Sequence, residues 1–208
     1  MYSYYGDFLE DPLTADTVFS VPLPVLRFER TIRYLTDTEI TGIFSPEGDH
    51  ILTLHAVDTG VGFFTVIPVE MREQIRGCIL THNHPSGRSF TRRDLEEASF
   101  FSLTEIRVVG RYGVYSMKPG GKEWPAPQVI ADCFTSIGDG PNFQAEIDNF
   151  SFRNDRFRDA EGHPPGIERI RSDFLCERVA AALNLNYRRS AWKNADDSVL
   201  KAQMDLMP

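Results

Sequence analysis

The stretch Thr81-His82-Asn83-His84-Pro85-Ser86-Gly87 restricts this chain more than any other. The short apolar run Cys78-Ile79-Leu80-Thr81, bounded by Gly77 and by a Pro-Gly loop, suits a buried central strand. At the end of an extended strand, residues two apart project to the same face, so His82 and His84 can offer both imidazoles to one ion. Asp94 arrives from the first turn of the next helix, after the loop has folded the chain back. Thr91-x-x-Asp94 also reads as a capping box with Thr91 as N-cap. The two readings coexist, because a cap that fixes the helix start fixes where Asp94 points. Two histidines and one carboxylate leave one tetrahedral position open. That composition suits a catalytic zinc site, one ion per chain, in which the metal makes water acidic enough to serve as a nucleophile.

The surrounding pattern gives a fold class. Ile40-Thr41-Gly42-Ile43-Phe44 and Ile51-Leu52-Thr53-Leu54-His55 read as strands joined through the turn Ser45–Asp49. Val61 to Val66 is a third candidate strand, and Pro68 to Arg76 has helical composition. Asp94 to Leu103 reads as a helix with Leu95, Ala98 and Phe101 on one side. Ile106–Val109 and Tyr112–Met117 are two more strands around Gly110. Val25 to Leu35 fits either a short helix or an extended segment. The order predicts an α/β (α+β) domain, a mixed sheet with packed helices, over residues 25–120. Residues 1–24, with Pro12, Pro22 and Pro24, form an irregular arm. Gly120, Gly121, Pro125 and Pro127 mark a boundary, and residues 121–208 read as a mainly helical extension, with Gly138–Pro141 as a hinge.

Composition narrows the partners. Lys and Arg total 22 against 30 Asp and Glu, a net charge of −8, which disfavours a phosphate backbone as the main partner. Arg88, Arg92 and Arg93 are a local basic exception beside the histidines, and a solvated helix start is their simpler reading. No apolar run is long enough to span a membrane, and the first residues have neither a basic start nor an apolar stretch, so the expected location is cytoplasmic. Cys78, Cys133 and Cys176 are widely spaced and odd in number, which fits reduced thiols. Cys78 reads as a small buried strand residue, and His50, His55 and His163 read as non-ligands.

The stretch from His82 to Asp94 resembles the His-x-His-Pro, variable loop, Ser-x-x-Asp motif of JAMM (MPN-plus) zinc metalloproteases. The wording His-Asn-His-Pro-Ser-Gly is most similar to the RadC branch and to prokaryotic and phage JAB domains. The resemblance covers residues 25–120. It implies a cytidine deaminase-like core, zinc bound by His82, His84 and Asp94, and a general acid/base glutamate just before the first core strand. Glu39 holds that place, with Glu29 and Glu47 as competitors. Thr91 falls where the family has Ser and would donate to an oxyanion. The loop from His84 to Asp94 is one residue shorter than is usual in the family. The implied activity is hydrolysis of a peptide or isopeptide bond in a protein substrate, such as the tail of a ubiquitin-like protein. A RadC-like role in DNA metabolism and a non-catalytic MPN scaffold are the rival readings.

Overall fold

The computed structural model describes residues 21–58, 63–110, 113–153 and 167–191. Its main strands are β1 (Ile40–Phe44), β2 (His50–His55), β5 (Ile79–Asn83), β6 (Glu105–Val109), β7 (Gly113–Pro119) and β8 (Leu185–Ala191). They form one mixed sheet in the order β2-β1-β5-β6-β7-β8. The short strands β3 (Val57–Asp58) and β4 (Phe63–Phe64) pair separately. Within the main sheet β5 and β6 run parallel, and the other neighbours are antiparallel. A parallel pair cannot be closed by a hairpin and needs a crossover. Here the crossover carries α3 (Arg92–Phe100), so the loop after β5 and the start of α3 meet at the carboxyl end of a central strand. Open α/β sheets place their ligands at such ends.

Strand alternation sorts the side chains into two layers. On one face Leu80, Ile106, Val108 and Met117 pack with Leu95 of α3 and with Ile130 of α4 (Pro127–Gly138). Cys176 and Val179 of α6 (Ile167–Leu183) close the same core. Helix α5 (Pro141–Arg153) packs on α6 through Phe143 and Ile147. The other face is covered by α1 (Leu23–Ile32): Val25 meets Phe44 and Ile79, while Leu26 and Ile32 meet Val109 and Val114. A short helix, α2 (Arg72–Ile75), follows a 3₁₀ turn at Val69–Met71.

Under α1 the sheet holds a buried ionic cluster. Arg107 is fully buried and grips Glu29 through Nε at 2.6 Å and a terminal nitrogen at 3.2 Å. Its other terminal nitrogen reaches Glu105 at 2.6 Å. Thr81 donates to Glu29 at 2.9 Å, and Ser116 donates to Glu105 at 2.6 Å. Lys118 completes the set against Glu105 at 2.9 Å.

Several sequence expectations are refined here. The ambiguous segment is a helix, and it begins at Leu23, inside the expected arm, with Pro24 in the first turn where its missing N–H costs nothing. Residues 1–20 lie outside the described residues. Of the third candidate strand only Phe63–Phe64 is extended pairing, and residues 61 and 62 lie outside the described residues. The expected helix starts two residues earlier, at Arg92. The tail is helical through α4, α5 and α6, but its last described element is β8, which pairs antiparallel with β7 from Leu185↔Pro119 to Ala191↔Gly113, and residues 154–166 and 192–208 lie outside the described residues. The residues after 120 therefore complete the same sheet. Asn184, at φ 53°, stops α6 in the left-handed conformation that Asn tolerates. Its carbonyl accepts from Gly120 N at 2.9 Å, where any Cβ would collide with it. No described helix is long and apolar enough to cross a membrane.

Removing one member of a buried ionic cluster strands the others without water. Arg107→Leu is expected to cost about 3–5 kcal/mol, read as a shift of the urea midpoint. An unchanged midpoint would show that the cluster does not hold α1 to the sheet.

Candidate metal centre

His82 lies at the end of β5, opposite Thr41 of β1. His84 follows one residue beyond the strand, but its N–H still donates to Val109 O at 2.9 Å, so the ladder continues through it. Both imidazoles therefore leave the same face of the sheet, as i, i+2 spacing requires. The chain then reverses: Gly87 N donates to His84 O at 2.8 Å, and Gly87 adopts φ 69°, which favours a residue without Cβ. Thr91 caps α3. Its N–H and Oγ1 donate to Asp94 Oδ2 at 2.5 and 2.8 Å, and Asp94 N donates back to Thr91 Oγ1 at 3.3 Å. The cap thus sets the rotamer of the carboxylate.

These restraints bring the donor atoms of three residues together. His82 Nε2 and His84 Nε2 are 2.9 Å apart, Asp94 Oδ1 lies 3.4 Å from His82 Nε2, and Asp94 Oδ2 lies 3.5 Å from His84 Nε2. Ligands at about 2.0–2.1 Å from a tetrahedral ion sit about 3.4 Å from one another. The two His–Asp separations match that spacing, the His–His separation is shorter, and the three residues can hold a metal ion. They are the one such cluster of three among the described residues. Both oxygens of Asp94 approach the imidazoles, but Oδ2 already accepts two bonds from Thr91, which leaves Oδ1 the freer lone pairs.

The outer contacts fix the histidine that completes the set. His84 Nδ1 donates to Ser89 O at 3.0 Å and Arg88 O at 3.1 Å. That selects the tautomer with a lone pair on Nε2, the arrangement metal-bound histidines use. His82 Nδ1 is buried and makes no hydrogen bond among the described residues. Burial pushes the Asp94 carboxyl up, but the two imidazoles outweigh it and hold Asp94 well below the usual carboxylate range. Burial lowers His84, which Asp94 only partly offsets. For His82 the same burial loses to Asp94, then to Glu39 and Glu97, and its pKa is raised.

Glu39 immediately precedes β1 and lines the same cleft, of about 510 Å³, as the three ligands and Thr91. Thr65 holds it: Thr65 Oγ1 and N donate to Glu39 Oε1 at 2.5 and 3.2 Å, and Thr41 Oγ1 lies 2.8 Å from Thr65 Oγ1. Both bonds fall on Oε1, and no described residue donates to Oε2. The backbone beside Glu39 is pinned by the residue between the two histidines. Asn83 accepts from Ile40 N at 2.8 Å and donates to Leu35 O and Thr38 O at 3.1 and 2.8 Å. Asn83 and Thr65 escaped the sequence reading, since neither type marks a site by itself. The His-x-His spacing did hold a clue, because the intervening residue must face the opposite layer.

The competitors lie elsewhere. Glu29 is consumed by Arg107 on the far face, and Glu47 is an exposed turn residue. His50 bonds Thr53, His55 is exposed on β2, and His163 lies outside the described residues. Cys78 is buried, and burial raises its thiol. The basic cluster is neutralised pairwise: Arg88 meets Glu168 at 3.5 Å, Arg92 meets Glu96 at 3.3 Å and Arg93 meets Glu97 at 2.8 Å. No family model, curated protein or solved structure matches this chain.

Asp94→Ala and His84→Ala are expected to abolish stoichiometric binding of a divalent ion, measured by elemental analysis after dialysis. Thr91→Val, which removes the hydroxyl bond to Asp94 and keeps the shape, should weaken binding about 10-fold or more. Full metal occupancy in Asp94→Ala would rule the site out.

Proposed function

We propose that the protein is a zinc-dependent metallopeptidase of the JAMM (MPN-plus) type that hydrolyses a peptide or isopeptide bond. The observation that carries this reading is the meeting of His82, His84 and Asp94 with Glu39 in one cleft. A nitrogen-rich set of two imidazoles and one carboxylate favours Zn²⁺ over the hard, oxygen-seeking Ca²⁺ and Mg²⁺. Zinc there would supply a Lewis acid and lower the pKa of water.

The chain's own residues supply the rest. Glu39 is the proton acceptor for the attacking water and the donor to the leaving amine. Thr65 restrains one of its oxygens and leaves the other to move the proton. Thr91 orients Asp94, and its position in the cleft lets its hydroxyl serve a developing oxyanion when that bond is exchanged. Phe64, Ile67 and Leu80 give the cleft an apolar wall, and Arg88 and Arg93 stand at its polar side. A flexible, extended protein tail is the substrate that such a cleft admits, and the tail of a ubiquitin-like protein is our choice among them.

The rivals have less support. A scaffold has no need of two imidazoles gathered around a buried carboxylate that a capping box also holds. A DNA-directed role is disfavoured by the charge of −8 and by the pairing of Arg88, Arg92 and Arg93 with carboxylates. Glu39→Gln is expected to retain the metal and lose about 10²–10⁴-fold in hydrolysis of a ubiquitin-like fusion. A chelator should abolish wild-type cleavage, and added zinc should restore it. Wild-type rates in Glu39→Gln would remove Glu39 from the reaction. Metal-independent DNA binding that weakens steeply with salt would favour the rival role.

A further inference from the structure

The two carbonyls that hold His84 belong to a loop that has few bonds of its own. Apart from the turn at Gly87 and a long contact from Arg88 N to Ser86 Oγ at 3.5 Å, the loop is secured by the C-terminal segment. Ser89 is completely buried, and both of its free polar groups are taken from that side. Its N–H donates to Ser172 Oγ at 2.9 Å, and its Oγ lies 2.8 Å from the Tyr187 hydroxyl. Tyr187 donates to Asp173 at 2.6 Å, so the Ser89 hydroxyl is the donor to Tyr187. Arg189 holds the same Asp173 oxygen at 3.1 Å. Ser172 in turn donates to Arg169 O at 2.9 Å, which orients its lone pair toward Ser89. On either side, Arg88 pairs with Glu168, and Phe90 O accepts from Cys176 Sγ at 3.2 Å while its ring meets Tyr187 edge-on.

We infer that Ser172, Asp173 and Tyr187, carried by α6 and β8, are positioning residues of the metal centre that act on His84 through Ser89. The C-terminal segment is then a clasp on the ligand loop as well as a cover for the core. Ser89 and its clasp residues Ser172 and Tyr187 are 83 and 98 positions apart in the chain, so the clasp is complete only when β8 has joined the sheet.

The inference rests on the metal reading above, and the test separates the two. Zn²⁺ affinity would be measured by competition with a chromophoric chelator for wild type, Tyr187→Phe, Ser172→Ala and Ser172→Thr. Co²⁺ absorption would report the ligand geometry, and thermal unfolding in chelator would report folding without metal. Tyr187→Phe keeps the ring and its stacking on Tyr115 and loses only the hydroxyl. Tyr187→Phe and Ser172→Ala are each expected to weaken Zn²⁺ binding about 10- to 100-fold, as losses of outer contacts to metal ligands do, and to alter the Co²⁺ bands. Ser172→Thr, which restores the acceptor, should recover most of that loss. Ile147→Ala, which loosens α5 from α6 and touches no hydroxyl of the clasp, should lower the unfolding temperature and leave Zn²⁺ affinity unchanged. Wild-type affinity in both hydroxyl variants would overturn the clasp and leave the metal reading intact. So would equal weakening in Ile147→Ala, which would mark the effect as mere loss of stability. A wild type that binds no Zn²⁺ would overturn both.

Discussion

Arg107 sits in the sheet with its guanidinium shut away from water, and that one group ties the two sides of the fold together. Its bonds to Glu29 and Glu105 cross from β6 to α1 and back within the strand. A buried cation is tolerable only with such partners, so α1 cannot lift off the sheet without exposing an unpaired charge to an apolar layer. The location of α1 decides where the chain re-enters the sheet at β1, and Glu39 stands at that entry. Glu39, the base we propose, is thereby placed by an ionic cluster on the opposite face from the cleft that it lines.

Strand β5 divides its labour by parity. Ile79, Thr81 and Asn83 face α1, where they pack on Val25, bond Glu29 and pin residues 35–40. Leu80 and His82 face the main core and the cleft. A slip of one residue in pairing would turn His82 toward Arg107 and put Asn83 in the cleft. Register is therefore a condition of the site as well as of the core. The ionic cluster also enforces it, because Thr81 reaches Glu29 in only one register.

The sequence disclosed the meeting of His82, His84 and Asp94 because they are close along the chain and obey local rules. Strand alternation aligns His82 with His84, and helix capping aims Asp94. The place of Glu39 in the cleft was suggested only by a resemblance, since a glutamate before a strand has no distinctive local chemistry. The supports were far less legible. Asn83, Thr65, Ser172 and Tyr187 are ordinary polar residues whose meaning depends on partners tens of positions away. Strand β8 was missed for a related reason. Leu185-Asn186-Tyr187-Arg188-Arg189-Ser190 has few branched residues, and it becomes a strand because β7 offers an open edge.

A site with local ligands and distant supports has a thermodynamic consequence. In the unfolded chain His82, His84 and Asp94 are close enough along the sequence to meet an ion, but only as a flexible loop with free tautomers. Folding adds the carbonyls for His84, the hydroxyl and amide for Asp94, and a dry wall behind both. The affinity gained on folding is the differential by which a metal bound there would stabilise the native state by mass action. Each support is thus coupled to the ion in both directions: a contact that raises metal affinity is itself strengthened when metal binds. Of the supports to the ligands, those to Asp94 lie within α3 and its cap, whereas those to His84 reach to α6 and β8. The stabilisation conferred by metal should therefore spread unevenly, reaching the C-terminal strand through His84 more than the edge strand β2, which has no path to a ligand except through β1.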